Sequence, residues 1–246
     1  MRLRLLLAAS LLAPAWCLGQ EMRLCVDRYP HLPFLSRAGG GTVGTLVHAA
    51  AQRSGVTIRL HAAPVARCRV EIERGLADAY PMAPYMAELA SIAAYPMHAG
   101  QPDRTRSVMV ARMMLFRPAG SNVAWDGKQI TGLRSKVLVG FSSPLLTQTL
   151  TAQHVPIDQQ GRSMAINFAK LLAGRGDAVG GFESEGRALM AQPAFAGKIE
   201  MLPLPLVEAT YYMVVSKPYY ARNSAAVERM WQQIGSLNKA AEAQEE

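Results

Sequence analysis

Past residue 20 the chain has no continuous apolar stretch of membrane-spanning length, so no transmembrane helix is expected there. It has no dense Lys/Arg run, and its scattered basic residues exclude a nucleic-acid-binding arm. No cysteine pair stands at C-x-x-C spacing, which excludes the usual zinc and redox motifs. No G-x-S-x-G segment appears, and His31, His48, His61, His98 and His154 are scattered, so no activated nucleophile is visible. No catalytic residues, cofactor or metal are expected from these features.

What is present begins with a leader. Arg2 and Arg4 precede a largely apolar run, Leu5 to Leu12, too short to cross a bilayer. Small-residue cleavage options follow at Ala13-Pro14-Ala15 or Cys17-Leu18-Gly19. This charge–apolar–small order is that of a secretory signal peptide over residues 1–19 and implies a periplasmic mature chain; a buried amino-terminal helix is the alternative. Trp16 before Cys17 argues against a lipid anchor. Loss of Arg2 and Arg4 lowers the formal charge from +8 to +6, a weakly cationic surface that favours anionic solutes or membrane surfaces. Cys25 and Cys68 survive cleavage and are expected to be bridged in an oxidising compartment. Closing that loop is worth roughly 4 kcal/mol by chain entropy.

The periodicity is α/β. Met22 to Asp27 reads as a strand, Thr42 to Arg53 as a helix stopped at Ser54-Gly55, and Val56 to His61 as a second strand. Ala66 to Arg74 reads as a helix closed by Gly75, and Asp78 to Met82 as a third strand. The second half repeats this grammar: strand Lys136–Phe141, a helix opened by Ser142-Ser143-Pro144, helix Ala165–Ala173, and strand Asp177–Gly181. Gly75-Leu-Ala-Asp78-Ala79 is echoed by Gly174-Arg-Gly-Asp177-Ala178. The apolar runs Ser107–Phe116 and Thr210–Ser216 suit strands that cross between halves. Ala221 to Leu237 is an amphipathic helix, with a charged tail expected to fray from Asn238. The fold class is therefore α/β with two similar lobes, each a mainly parallel sheet flanked by helices. Lobe one is residues 21–106 plus 213–246, and lobe two is residues 107–212.

This layout resembles the family 3 periplasmic solute-binding proteins, of the type that feeds amino-acid ABC importers. The resemblance is carried by Cys25-Val-Asp-Arg-Tyr-Pro with Pro33-Phe34, Ala63-Pro-Val-Ala-Arg67-Cys68, Gly75-x-x-Asp78-Ala79, Val137-Leu-Val-Gly140-Phe-Ser142-Ser143 and Leu172-Ala-Gly174-Arg-Gly-Asp177-Ala178. It implies a type II two-lobed fold with two crossover strands. It also implies a small polar or amino-acid-like solute held between the lobes, a membrane permease as partner, and a monomer.

Strand ends should face that ligand. Asp27 and Tyr29 follow the first strand, and Phe34 stands as an aromatic lid; a turn former and rim packing are their ordinary readings. Ser142 and Ser143 either cap the helix they precede or, with its free N–H groups, hold a carboxylate. Tyr85 and Glu183 complete the expected cavity. One departure matters. The family's carboxylate-clamping Arg after the third strand is absent from the segment Ala83 to Pro96, and the amine-binding acid aligns near Phe182, with Glu183 one position off. Arg67, Arg104 or Arg106 could substitute, although a surface ion pair is the ordinary reading of Arg67. Tyr80, Met82, Tyr85, Met86, Tyr95, Met97 and His98 give the region a sulfur-and-aromatic character, which suits gap filling or an apolar solute better than copper. Two further readings share the fold: a periplasmic sensor or accessory subunit, and a dehydratase-like enzyme using Glu183 and Glu185.

Overall fold

Glycines that stop helices set the spacing of both halves. Gly55, Gly75 and Gly174 adopt positive φ of 71°, 66° and 70° immediately beyond helix ends, where a side chain would be strained. The computed structural model describes residues 20–140 and 143–245; the expected leader, residues 1–19, and Ser142 lie outside the described residues. The first half runs β1 (Gln20–Asp27), α1 (Thr42–Arg53), β2 (Val56–Ala63), α2 (Val65–Glu73) and β3 (Ala79–Pro84). A short helix α3 (Ala87–Ala90) and the two-residue strands β4 (Ala93–Ala94), β5 (Met97–His98) and β6 (Gln101–Pro102) lead to the long strand β7 (Met109–Pro118). A small hairpin, β8 (Ala124–Trp125) and β9 (Ile130–Thr131), precedes the second alternation. That alternation is β10 (Val137–Gly140), α4 (Pro144–Ala152), β11 (Ile157–Gly161), α5 (Met164–Leu172), β12 (Ala178–Phe182), α6 (Glu183–Met190) and β13 (Ile199–Met201). The long strand β14 (Val207–Ser216) and helix α7 (Lys217–Glu245) close the chain.

The two alternations have the same topology. Strand order is β2–β1–β3 in one and β11–β10–β12 in the other, all parallel. An antiparallel strand then flanks each: β14 beside β3, and β7 beside β12. β7 and β14 pair with each other along Met109–Met113 and Val207–Tyr211, so the crossing segments form one ribbon between the halves. The Gly-x-x-Asp-Ala echo has a shared mechanical role. Asp78, 4% exposed, accepts from the backbone N–H of Arg23 at 2.8 Å and from its guanidinium, tying the start of β3 to β1. Asp177 accepts from the N–H groups of Arg134 and Ser135 just ahead of β10. Each carboxylate, standing just ahead of its own strand, accepts from backbone N–H groups of a neighbouring segment: within β1 for Asp78 and ahead of β10 for Asp177.

Helix α7 buries Val227, Met230, Trp231 and Ile234 completely and packs on α1. The indole N–H of Trp231 donates to the carbonyl of Met213 at 2.8 Å, so this large side chain is buried without an orphaned donor. The helix is longer than its apolar stripe indicates. It starts at Lys217, where the hydroxyl of Ser216 accepts from the N–H of Tyr219, and has a kink at Asn223. The tail expected to fray is helical through Glu245, consistent with the strong helix propensity of Ala240, Ala241 and Ala243. Among the described residues no helix is long and apolar enough to cross a membrane.

Candidate ligand-binding cavity

Two parallel strands from each half end at the junction of the halves, at Asp27 and Pro84 in one and at Gly140 and Phe182 in the other. A cavity of about 300 Å³ lies there. One wall comes from α2 and β3 (Val65, Ala66, Ile72, Tyr80, Met82), another from the start of α4 (Ser143, Pro144, Leu145), and Phe182 comes from the end of β12. Met113 on β7 and Tyr211 and Val214 on β14 form the floor, so the ribbon between the halves is part of the site. The position obeys the general rule that ligands of parallel sheets sit beyond the carboxyl ends of the strands.

His31 is the polar residue at the inner edge. It follows β1 in a turn closed by pairing of His31 with Leu35, and its Nε2 lies 3.0 Å from Oδ2 of Asp27. Asp27 is fully buried and its other oxygen accepts from the N–H of Tyr29 at 3.1 Å, so the strand-end carboxylate holds both the turn and the imidazole. Burial pushes the Tyr80 and Tyr211 hydroxyls well above the ordinary phenol range, and nearby Asp27 adds to the shift at Tyr80. Both are neutral hydrogen-bonding groups at any physiological pH.

A smaller polar recess of about 30 Å³ adjoins His31 and is lined by Arg162, Ser163, Asn167 and Glu185. Its volume matches one water. Asn167 is 1% exposed, and neither atom of its amide is paired among the described residues. Burial pushes the Glu185 carboxyl up to about 6, against opposing pulls from His31 and the N–H of Met164.

Among the described residues Ser143 is the one sequence-predicted candidate on the cavity wall, and Asp27 backs the cavity through His31. Ser143 is the residue before α4, yet its side chain makes no capping bond, and Pro144 removes one of the free N–H donors of that end. Phe34 stands edge-on to Phe182 at 5.5 Å. Tyr85 is 46% exposed and packs on Tyr95, outside the cavity lining. Tyr29 contributes its backbone N–H to Asp27 and is also outside that lining. Glu183 opens α6 and is tied to Arg112 of β7 at 2.7 Å and to Arg187 at 2.9 Å, away from the lining. None of the three arginines reaches the cavity lining. Arg67 is exposed and pairs with Glu71 at 2.8 Å; Arg104 is exposed; Arg106 is bonded to Asp103, Glu228 and the carbonyl of Met97.

His31, Met113 and Tyr211 were not singled out as ligand contacts by the sequence, and Tyr80 stood there only within the sulfur-and-aromatic segment. The available signal for His31 is its position four residues after a strand-end Asp. Cys25 and Cys68 form the expected disulfide, with Cα atoms 5.7 Å apart. Sγ of Cys25 also lies near His61 and Glu71, but a disulfide sulfur is not a thiolate ligand, and Glu71 is occupied by His61 and Arg67.

The chain has the type II periplasmic-binding-protein fold. It is similar to the GluR0 ligand-binding core of Nostoc punctiforme in complex with L-glutamate, at 15% identity and a TM-score of 0.70 over 91% of this chain and 96% of that one. It is similar to the substrate-binding protein of an amino acid ABC transporter, at 14% identity and a TM-score of 0.67 over 92% and 96% of the two chains. A histidine kinase sensor domain with similarity to periplasmic binding proteins matches at 15% identity and a TM-score of 0.68, over 91% and 92%. No family model and no curated protein sequence matches the chain.

Proposed function

We propose that this chain is an exported solute-binding protein that encloses a small molecule between two lobes and hands it to a membrane importer. Residues 1–19 are its leader, residues 21–106 plus 213–246 its first lobe, and residues 107–212 its second. The observation that carries the reading is the 300 Å³ cavity at the meeting point of four strand ends, with walls from both halves. Its work is binding rather than catalysis: inside the mouth marked by the exposed Arg69 and Glu88, the described polar groups at the cavity are phenols, a serine and an imidazole, and the imidazole is tied to Asp27. Closure of the lobes on the solute presents one shape to the partner and the open form another.

Mass spectrometry of small molecules released from protein purified gently from an exporting host tests the reading. A stoichiometric solute that rebinds on titration is expected; protein that releases none, and binds none from a broad metabolite mixture, refutes it. A sensory role is the second reading, favoured by the match to a histidine kinase sensor domain. Cross-linking in membranes separates the two, because a permease is captured in one case and a kinase in the other.

A further inference from the structure

We infer that the solute is a flat, uncharged, largely apolar molecule of aromatic-ring size with a single hydrogen-bonding group, and not a zwitterionic amino acid. This rests on the proposal that the cavity is the binding site. The volume of 300 Å³ equals roughly ten waters at ~30 Å³ each, room for one or two fused rings. Its surface is mostly Ile72, Met82, Met86, Met113, Leu145 and Phe182. Thioethers adapt to the edge of a ring and attract it, and Phe182 lies in a cluster of edge-on aromatic contacts with Phe34 and Tyr211.

The charge pattern points the same way. Among the described lining residues, Arg69 and Glu88 are the fully charged ones; both are exposed, so they mark the mouth and not the interior. His31 is tied to Asp27. A zwitterion would bring a carboxylate and an ammonium against a lining that holds no buried charged side chain among the described residues, the nearest carboxylates being Asp27 behind His31 and Glu185 in the adjoining recess, at a cost of several kcal/mol per unpaired ion. Phe182, at the end of β12, offers the cavity a ring and not a charge. Pro144 leaves the helix end at Ser143 with one donor fewer for a carboxylate. The described polar groups inside the mouth are few and neutral. Tyr80 and Tyr211 line the cavity, and burial keeps both phenols protonated. They suit one hydroxyl, carbonyl or ring N–H on an otherwise apolar solute.

Calorimetric titration of the mature protein, freed of bound solute, with indole, 2-naphthol and L-tryptophan tests this, because indole and tryptophan share a ring and differ in the zwitterion. The expected result is that indole or 2-naphthol binds at least about ten-fold tighter than tryptophan. Tyr80→Phe should then weaken binding by about three- to ten-fold. Ala66→Trp, at an exposed position of α2 that borders the cavity, should abolish binding with unchanged far-ultraviolet circular dichroism. Tryptophan binding as tightly as indole overturns the ligand class and leaves solute binding intact. Ring probes that bind equally well to Ala66→Trp overturn the assignment to this cavity. Failure of all three probes also overturns the class, while the released-solute experiment judges the binding function independently.

Discussion

Glu185 gives the sharpest test of the electrostatics around the cavity. Its carboxyl stands in the polar recess beside His31, and burial raises its pKa from 4.5 to about 6. An acid with a raised folded-state pKa holds its proton longer in the native state than in the unfolded one. Its contribution to stability is therefore fully present below pH 4.5, declines through the window from 4.5 to 6, and is lost above it. The shift of about 1.5 corresponds to ~2 kcal/mol, and solvent screening at this partly exposed group reduces that toward ~1 kcal/mol. Glu185→Gln keeps the shape and the acceptor for the N–H of Met164 but cannot ionise. Urea denaturation of both proteins from pH 4 to pH 8 should give equal pH-dependent contributions from this site at the acid end. The variant should gain ~1–2 kcal/mol over wild type above pH 6.5. A stability difference that stays constant with pH, or one that grows as pH falls, refutes the reasoning.

Three further outcomes follow from particular contacts. Replacing Cys25 and Cys68 together by Ala should lower stability by roughly 4 kcal/mol, from the loop of sequence separation 43 that the disulfide closes; a loss below ~1 kcal/mol in denaturant titration would contradict the chain-entropy account. Gly186→Ala places a Cβ 2.1 Å from Cζ of Phe116, itself completely buried, and should cost about 1–3 kcal/mol; a variant with an unchanged denaturation midpoint would show that the α6–β7 packing is looser than described. Asp78→Ala and Asp177→Ala each orphan backbone N–H groups of a neighbouring segment and should cost a similar ~1–3 kcal/mol, so a large loss in one and none in the other would separate the two motifs mechanically.

The legible part of the fold is the part governed by local rules. Glycine stops at Gly55, Gly75 and Gly174 and the helical spacing of Val43, Val47 and Ala50 each belong to a single element and its next turn, whereas Asp78 and Asp177, legible as an echo, bond backbone 55 and 43 residues away. These suffice for two repeated strand–helix alternations, and the crossing runs lie within a few residues of β7 and β14. The illegible part depends on which elements meet. β12 passes into α6 with no intervening turn residue, and Gly186 inside that helix reads as a breaker until the buried ring of Phe116 is seen against it. Glu183, placed by the sequence at a strand exit facing a ligand, is the first residue of α6 and is turned onto Arg112. The arginines meant as substitute cations are engaged by acids on their own or neighbouring elements, or are exposed, which spacing alone does not reveal.

The cavity itself shows how a local reading and a tertiary one combine. Loss of an Arg after the third strand, and a Phe where an acid is expected, are visible as letters, but their meaning depends on what else faces the same space. Tyr80 belongs to a central strand of the first half, Tyr211 and Met113 to the ribbon between the halves, and Phe182 to the end of a strand in the second half. No periodicity connects them. Brought together they make a wall of rings and thioethers with two neutral hydroxyls, and His31 is fixed at its edge by Asp27. On the proposed reading, amino-acid binding there would need changes on both halves at once, because each charge of a zwitterion needs its own buried counter-charge.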